Sequence, residues 1–256
     1  MSDSPQPAPP EPDLEQPKPA EAVEPAAGWS ARSNAWTDLA LTIPIFLGYH
    51  LGVITMPVRN AADMVTAWLV GLANNNLGLY VLVTVVIGLG LAGVLALLGR
   101  GQAFELWRLG LVVIEGAAYA VAMGAVALYV VGSLRLGSPA AGAGTLQAGI
   151  VMALGAGLYE EIAFRVGIYG VVSLLLKWLT FSPVRAFVLR CIWAVVAAGL
   201  FSLWHYVGPL SDAFELRSFV FRWVCGLSFT LIYVTRGFAP AVWTHALYDI
   251  WVLALG

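Results

Sequence analysis

Seven apolar runs follow one another along this 256-residue chain, separated by short connections that carry most of the polar residues. A run of ~20 apolar residues can cross the ~30 Å hydrocarbon core of a bilayer as a helix. The runs lie at about 37–56, 77–98, 108–134, 145–176, 186–206, 218–235 and 238–255. Because lipid offers no partners to an open backbone, the pattern predicts helices rather than strands. We therefore expect an all-α, polytopic membrane helix bundle with about seven transmembrane helices, within a range of six to eight.

Two segments leave that number open by one. The fourth run is unusually long, and residues 61–73 (AADMVTAWLVGLA) are apolar but short. The short stretch fits either an amphipathic helix lying in the interface or a re-entrant piece.

The first 30 residues differ sharply from the rest. They contain eight prolines and almost no large aliphatic side chains. Such a segment cannot bury enough apolar surface to offset its ordering entropy. We expect an acidic, Pro-rich, disordered tail over 1–30 and an integral membrane domain over 31–256.

Composition narrows the classes of function. The chain is 60% hydrophobic and 11% charged, whereas soluble domains carry ~25% charged residues. This excludes a soluble enzyme, a secreted disulfide scaffold and a nucleic-acid-binding domain, and it makes the lipid bilayer a partner. The N-terminal segment and the connections on its side of the membrane hold eight Lys and Arg residues, and the connections on the opposite side hold four. That bias predicts a cytoplasmic N-terminus, in the cell (inner) membrane if the source is bacterial.

Ionisable residues inside apolar runs are costly and often functional. Three groups stand out, in the fourth, fifth and seventh runs: Glu160, Glu161 and Arg165; Phe201 and His205; and His245 and Asp249. Residues four apart share one face of a helix, so Glu161 can pair with Arg165, and His245 and Asp249 can act together. Glu160 is rotated by about 100° from Glu161 on a regular helix, so it is expected to face elsewhere, towards small residues. Convergence of the three groups on a water-filled cavity would lower their cost.

The ordered pattern Glu-Glu-x-x-x-Arg, Phe-x-x-x-His and His-x-x-x-Asp resembles the CPBP family of intramembrane proteases. That family includes CAAX prenyl endopeptidases and bacteriocin-processing enzymes. The resemblance covers a catalytic core at about 145–253 and implies a peptide or protein substrate. It further implies that Glu160 and His205 activate water and that His245 and Asp249 stabilise the oxyanion. Glu161 and Arg165 would hold the motif in shape, and Phe201 would support the site. Many relatives have Asn at the position of Asp249, so this residue is either protonated or orients His245.

Alternatives remain at this stage. Glu160, His205 and His245 are suitable zinc ligands, although the chain lacks an HExxH motif and a metal-free glutamate mechanism is favoured. The same residues could serve as a proton relay in a transporter, or the chain could be a non-catalytic membrane scaffold.

Overall fold

The computed structural model describes residues 35–56, 58, 60–64, 68, 71, 76–98, 106–134, 145–208 and 211–255. The predicted tail at 1–30 lies outside these residues, and the segment 61–73 lies only partly within them.

The described chain forms seven helices and no strand, which confirms the all-α prediction. Five of them are long and apolar enough to cross a membrane, so the protein is an integral membrane protein. The helices are α1 (Ala35–Thr55), α2 (Leu77–Leu98), α3 (Trp107–Ser133), α4 (Leu146–Leu179), α5 (Pro183–Trp204), α6 (Leu216–Thr235) and α7 (Phe238–Asp249, continued by a π-helix at Ile250–Leu255). The five long spans are those of α1, α3, α4, α5 and α6.

The long fourth run is one helix with a widened middle. It is α-helical over Leu146–Gly155, π-helical over Ala156–Glu160 and Ile162–Val171, and α-helical again over Val172–Leu179. A π-helix bonds each amide to the carbonyl five residues back, so it places more residues in each turn, and such segments occur frequently at functional sites. The candidate carboxylates therefore lie in the irregular part of α4.

Helix α7 occupies the centre of the bundle, where it packs against α1, α3, α4 and α6. Small residues on its neighbours allow this close approach. A Cβ at Gly116 of α3 would meet Trp243 at 3.0 Å, and one at Gly157 of α4 would meet Ala246 at 2.7 Å. The two glycines thus fix the position of α7 relative to α3 and α4.

The start of α7 is tied to both α1 and α3. The backbone N–H of Phe238 donates to Asp38 Oδ2 of α1 at 2.7 Å, which caps α7 from a residue 200 positions away. A side chain at Gly237, which has a positive φ of 116°, would run into this carboxylate. Next to it, Arg236 binds Glu115 of α3 through Nε and Nη2, at 2.5 and 3.1 Å. This hydrogen bonding to Glu115 raises the pKa of Arg236 above its usual value.

Candidate active site

Glu160, His205 and His245 come together from α4, α5 and α7. Glu160 Oε2 lies 3.7 Å from His205 Nε2 and 3.9 Å from His245 Nε2. Glu160 and His245 are buried, with 5% and 4% of their surfaces exposed. Within the described chain, Glu160 Oε2 accepts no hydrogen bond, although it is buried. A buried carboxylate oxygen facing two imidazole nitrogens without a donor is a costly arrangement, and costs of this kind are concentrated at functional sites.

The imidazole of His245 contacts three acidic side chains. Its Nδ1–H donates to Glu161 Oε1 at 2.7 Å, because an ionised carboxylate can only accept. Its Nε2 lies 3.5 Å from Asp249 Oδ2, one turn further along α7. The ring stacks on Phe229 of α6, with centroids 4.4 Å apart and planes inclined by 20°. The contacts with Glu161 and Phe229 fix the ring so that Nε2 points towards Glu160.

Arg165 joins the second carboxylate to the aromatic wall of the site. It is 1% exposed and its Nε lies 3.0 Å from Glu161 Oε2. Its guanidinium lies over Phe201 at 4.3 Å and over Phe229 at 4.9 Å, in the range of cation–π contacts. Glu161 and Arg165 therefore connect the imidazole of His245 to the phenyl rings behind it.

His205 is held in one orientation at the end of α5. Its Nδ1 lies 3.0 Å from the carbonyl oxygen of Phe201, and since a carbonyl only accepts, Nδ1 carries the proton. In the neutral ring, Nε2 is then an acceptor directed towards Glu160. The Phe201 ring lies edge-on to His205, with centroids 5.2 Å apart. The side chains of His205 and Asp249 are 22% and 21% exposed. Solvent therefore reaches the site from the side of these two residues.

Asn60 is a member of the site that the sequence did not reveal. Its Nδ2 donates to Glu160 Oε1 at 2.9 Å, and the residue is 5% exposed. Its own backbone N–H donates to Tyr49 Oη, which in turn donates to Asp63. Asn60 lies in the connection after α1, 100 positions from its partner, and no motif or periodicity marks it.

Glu160 and Glu161 reach His245 at different atoms. On a regular helix the Glu160 carboxylate is expected to point away from the face of Glu161, on a face of α4 made of small residues. In the structure both carboxylates approach the same imidazole, Glu161 at Nδ1 and Glu160 towards Nε2. The π-helical turns of α4 change the angle between successive side chains, and Gly157 rather than Glu160 faces the small residue Ala246.

The remaining histidine, His50, lies next to the centre. His50 of α1 is buried and its Nε2 lies 2.8 Å from Tyr159 Oη, so it contacts the residue before Glu160 rather than the centre itself.

Among the residues that the structure describes, no group of three or more His, Cys, Asp and Glu side chains is arranged to hold a metal ion.

Comparison with known proteins supports one family. Residues 142–251 match the family model described as "Type II CAAX prenyl endopeptidase Rce1-like". The matched segment contains all three motifs, and the match confirms the predicted resemblance to the CPBP family, whose activity is intramembrane proteolysis. No curated protein and no solved structure matches the chain.

Proposed function

Taking residues 142–251 as the catalytic part of an Rce1-like intramembrane protease, we propose that this chain hydrolyses a peptide bond of a membrane-associated protein or peptide. The observation that carries the proposal is the buried Glu160 Oε2, which accepts no hydrogen bond from the described chain and faces two imidazole nitrogens at 3.7 and 3.9 Å.

Water is bound between Glu160 and His205. The 3.7 Å gap between Oε2 and Nε2 is too long for a direct hydrogen bond but suits a shared water. Both atoms are acceptors, so each accepts a hydrogen bond from one O–H of the water, and an oxygen lone pair is left to attack a carbonyl carbon. Transfer of one proton to Glu160 as the C–O bond forms gives the tetrahedral intermediate by general base catalysis.

His245 stabilises the negative charge that develops on the carbonyl oxygen. In this role His245 is an imidazolium: Nδ1–H stays hydrogen-bonded to Glu161, and Nε2–H donates a hydrogen bond to the oxyanion and keeps its proton. Such preorganised donors commonly supply the largest share of catalysis. Collapse of the intermediate breaks the C–N bond, and the proton taken from water passes from Glu160 to the leaving amine. The products are a carboxylic acid and an amine, which exchange one proton to become a carboxylate and an ammonium group, and the protein returns to its starting state.

Glu161, Arg165 and Phe201 are positioning residues in this scheme. Glu161 holds Nδ1–H of His245, and Arg165 pairs with that carboxylate while it packs on Phe201. Asn60 holds the other oxygen of Glu160, so that Oε2 is presented to water. Asp249, 3.5 Å from His245 Nε2, orients that imidazole.

We further propose that the reaction is metal-free. Glu160, His205 and His245 supply the base, the acceptor and the oxyanion donor without a Lewis acid. Activity of the purified protein is expected to survive dialysis against a zinc chelator. Loss on dialysis and recovery on adding zinc would instead assign the three side chains as ligands.

The charges of the described connections support a cytoplasmic N-terminus. Five cations lie at the ends of helices on the N-terminal side and two on the opposite side: Arg108, Lys177, Arg185, Arg190 and Arg236 against Arg217 and Arg222. Under the positive-inside rule the first side is cytoplasmic. His205 and Asn60 lie at the opposite ends, so the site would open on the non-cytoplasmic side. A cysteine label at the α5–α6 connection, reacted with an impermeant reagent in intact cells, tests this orientation.

The enzyme assignment is tested by comparing the termini of the membrane proteome in cells that carry the wild type, Glu160→Gln or His205→Ala. Both variants are expected to abolish the same cleavages while protein levels stay constant. Arg185→Gln is the matched control, because Arg185 lies at the far end of α5 and is exposed. Unchanged termini in all strains would contradict the protease assignment, and a transport or binding phenotype that follows Glu160 would favour a relay or a scaffold.

A further inference from the structure

A polar cavity lies between α4, α5 and α6, far from the candidate active site. It has a volume of about 260 Å³ and is lined by Tyr169, Gly170, Ser173, Leu174, Lys177, Arg190, Tyr233 and Val234. Arg190 belongs to α5 and His205 directly follows its last residue, 15 positions away, or about 22 Å at 1.5 Å per residue. The cavity is therefore separate from the catalytic centre and is not used by the mechanism.

The charge of this cavity has one sign. Lys177 and Arg190 line it, and none of its lining residues is acidic. In the described part of the chain, neither cation forms an ion pair, whereas Arg165, Arg222 and Arg236 all do. Two cations around one cavity repel each other, so an anion between them would stabilise the arrangement.

Two donors at the cavity lack partners within the described part of the protein. Ser173 Oγ is buried, with 7% of the residue exposed, and Arg190 Nε is buried as well. Neither atom has a hydrogen-bond partner among the described residues. A buried donor without a partner is destabilising, and a ligand with several acceptor oxygens would satisfy both.

The position of the cavity along the helices indicates the source of such a ligand. Lys177 lies two residues before the end of α4, and Arg190 lies in the second turn of α5. The adjacent Trp178 and Phe181 are 72% and 103% exposed, as expected for side chains at a membrane interface. Leu174 lines the cavity and is 51% exposed, so the opening borders the apolar surface that lipid tails cover.

We propose that this cavity binds the phosphate group of an anionic phospholipid. Lys177 and Arg190 pair with the phosphate, Ser173 Oγ donates to one of its oxygens, and the acyl chains follow the exposed side of Leu174. Basic pockets between transmembrane helices bind anionic headgroups in this way. A bound lipid would join the end of α4 to the start of α5, so that the two helices bearing Glu160 and His205 are held together at their far ends.

The test uses the full chain in a neutral detergent, with phosphatidylglycerol and phosphatidylcholine as probes. Lipid retention is measured by native mass spectrometry, and thermal unfolding is followed as each lipid is added. Phosphatidylglycerol should bind and raise the Tm, and phosphatidylcholine should do neither. Loss of each cation, as Lys177→Gln or Arg190→Gln, should weaken binding about fivefold, and loss of both about thirtyfold.

Two further variants keep the test decisive. Arg185→Gln removes a cation from the same helix end outside the cavity and should change the affinity less than twofold. Ser173→Ala leaves both cations in place and should weaken binding about tenfold, since it removes a hydrogen bond to a charged group. It also replaces the double variant if that protein does not fold.

The arms of the experiment separate the sources of phosphate. Inorganic phosphate, added alone, would reproduce the variant-dependent rise in Tm if the natural ligand is a soluble ion, and the same cavity would then be assigned to it. The proposal is overturned if the double variant binds phosphatidylglycerol as the wild type does, or if Arg185→Gln loses as much affinity as Lys177→Gln.

Discussion

Gly157 provides the sharpest test of how the bundle sets the geometry of the site. It lies on α4 between the carboxylates and the start of the π-helical turns, facing α7. A Cβ at this position would lie 2.7 Å from Ala246 Cβ, 2.8 Å from Ala246 N and 2.9 Å from Val242 O. Two of these atoms belong to the backbone, so they cannot move aside as the tip of a side chain would. Ordinary contacts between such atoms are ~3.5 Å, and Gly157→Ala must therefore displace α7 by about 0.5–1 Å.

The displacement predicts two measurable effects. Overpacking of this kind costs about 1–3 kcal/mol of unfolding free energy, which lowers Tm by about 2–4 °C for each kcal/mol. It also changes the 3.9 Å separation between Glu160 Oε2 and His245 Nε2. Because a shift of ~1 Å in a catalytic group can cost about 100-fold in rate, we expect kcat to fall about 10- to 100-fold.

The matched control is Gly167→Ala on the same helix. Gly167 is also π-helical but exposed, and its added methyl would meet only Ile162 O at an ordinary 3.5 Å. It should leave kcat unchanged and keep or slightly raise Tm, since Ala is favoured over Gly in helices by about 0.5–1 kcal/mol. Thermal unfolding in detergent and cleavage of the substrate found by the terminus comparison provide the two measurements. Equal behaviour of the two variants would refute the claim that the contact at Gly157 positions α7.

Three further predictions concern single side chains. Asn60→Ala and Asn60→Asp both remove the hydrogen-bond donor to Glu160, so each should lower kcat about 10- to 100-fold with little change in KM. The control is Asn76→Ala, which changes an exposed residue. A kcat within twofold of wild type in the Asn60 variants would exclude a role of Asn60 in positioning Glu160. Asp249→Asn should retain activity because the amide has the same shape and can also contact the imidazole. Asp249→Leu should lose activity. Loss of activity in Asp249→Asn would instead show that a negative charge is required at this position. Asp38→Ala removes the cap of α7 and should lower the unfolding free energy by about 0.5–2 kcal/mol. Asp38→Asn keeps an acceptor oxygen and should lower the unfolding free energy by less. Equal Tm values for the two variants would mean that the cap does not contribute to stability.

The elements were predictable because each is a long apolar run, and such a run has one low-energy form in lipid. The second and seventh runs agree with the helices at both ends, and α1 begins two residues before its predicted start. The convergence of Glu160, His205 and His245 was also foreseen, since charged groups in separate spans are stabilised by meeting. Their catalytic roles remain predictions.

Other features could not be read from the sequence because they depend on tertiary contacts. Asn60 is an ordinary polar residue in a connection, and only the fold brings it to Glu160. The π-helical turns of α4 leave no periodic signal, so the sequence did not predict the irregular helix that carries Glu160. The cap from Asp38 to Phe238 joins residues 200 positions apart, and no local pattern predicts such a pairing.

The cap also bears on biogenesis. Because α7 begins on a carboxylate of α1, contact between these two distant segments helps to bring the imidazole of His245 to its place. A nascent chain that has inserted α4 and α5 alone has its acid and one histidine but no group for the oxyanion. Under the proposed mechanism, proteolysis would therefore begin only once the bundle is assembled.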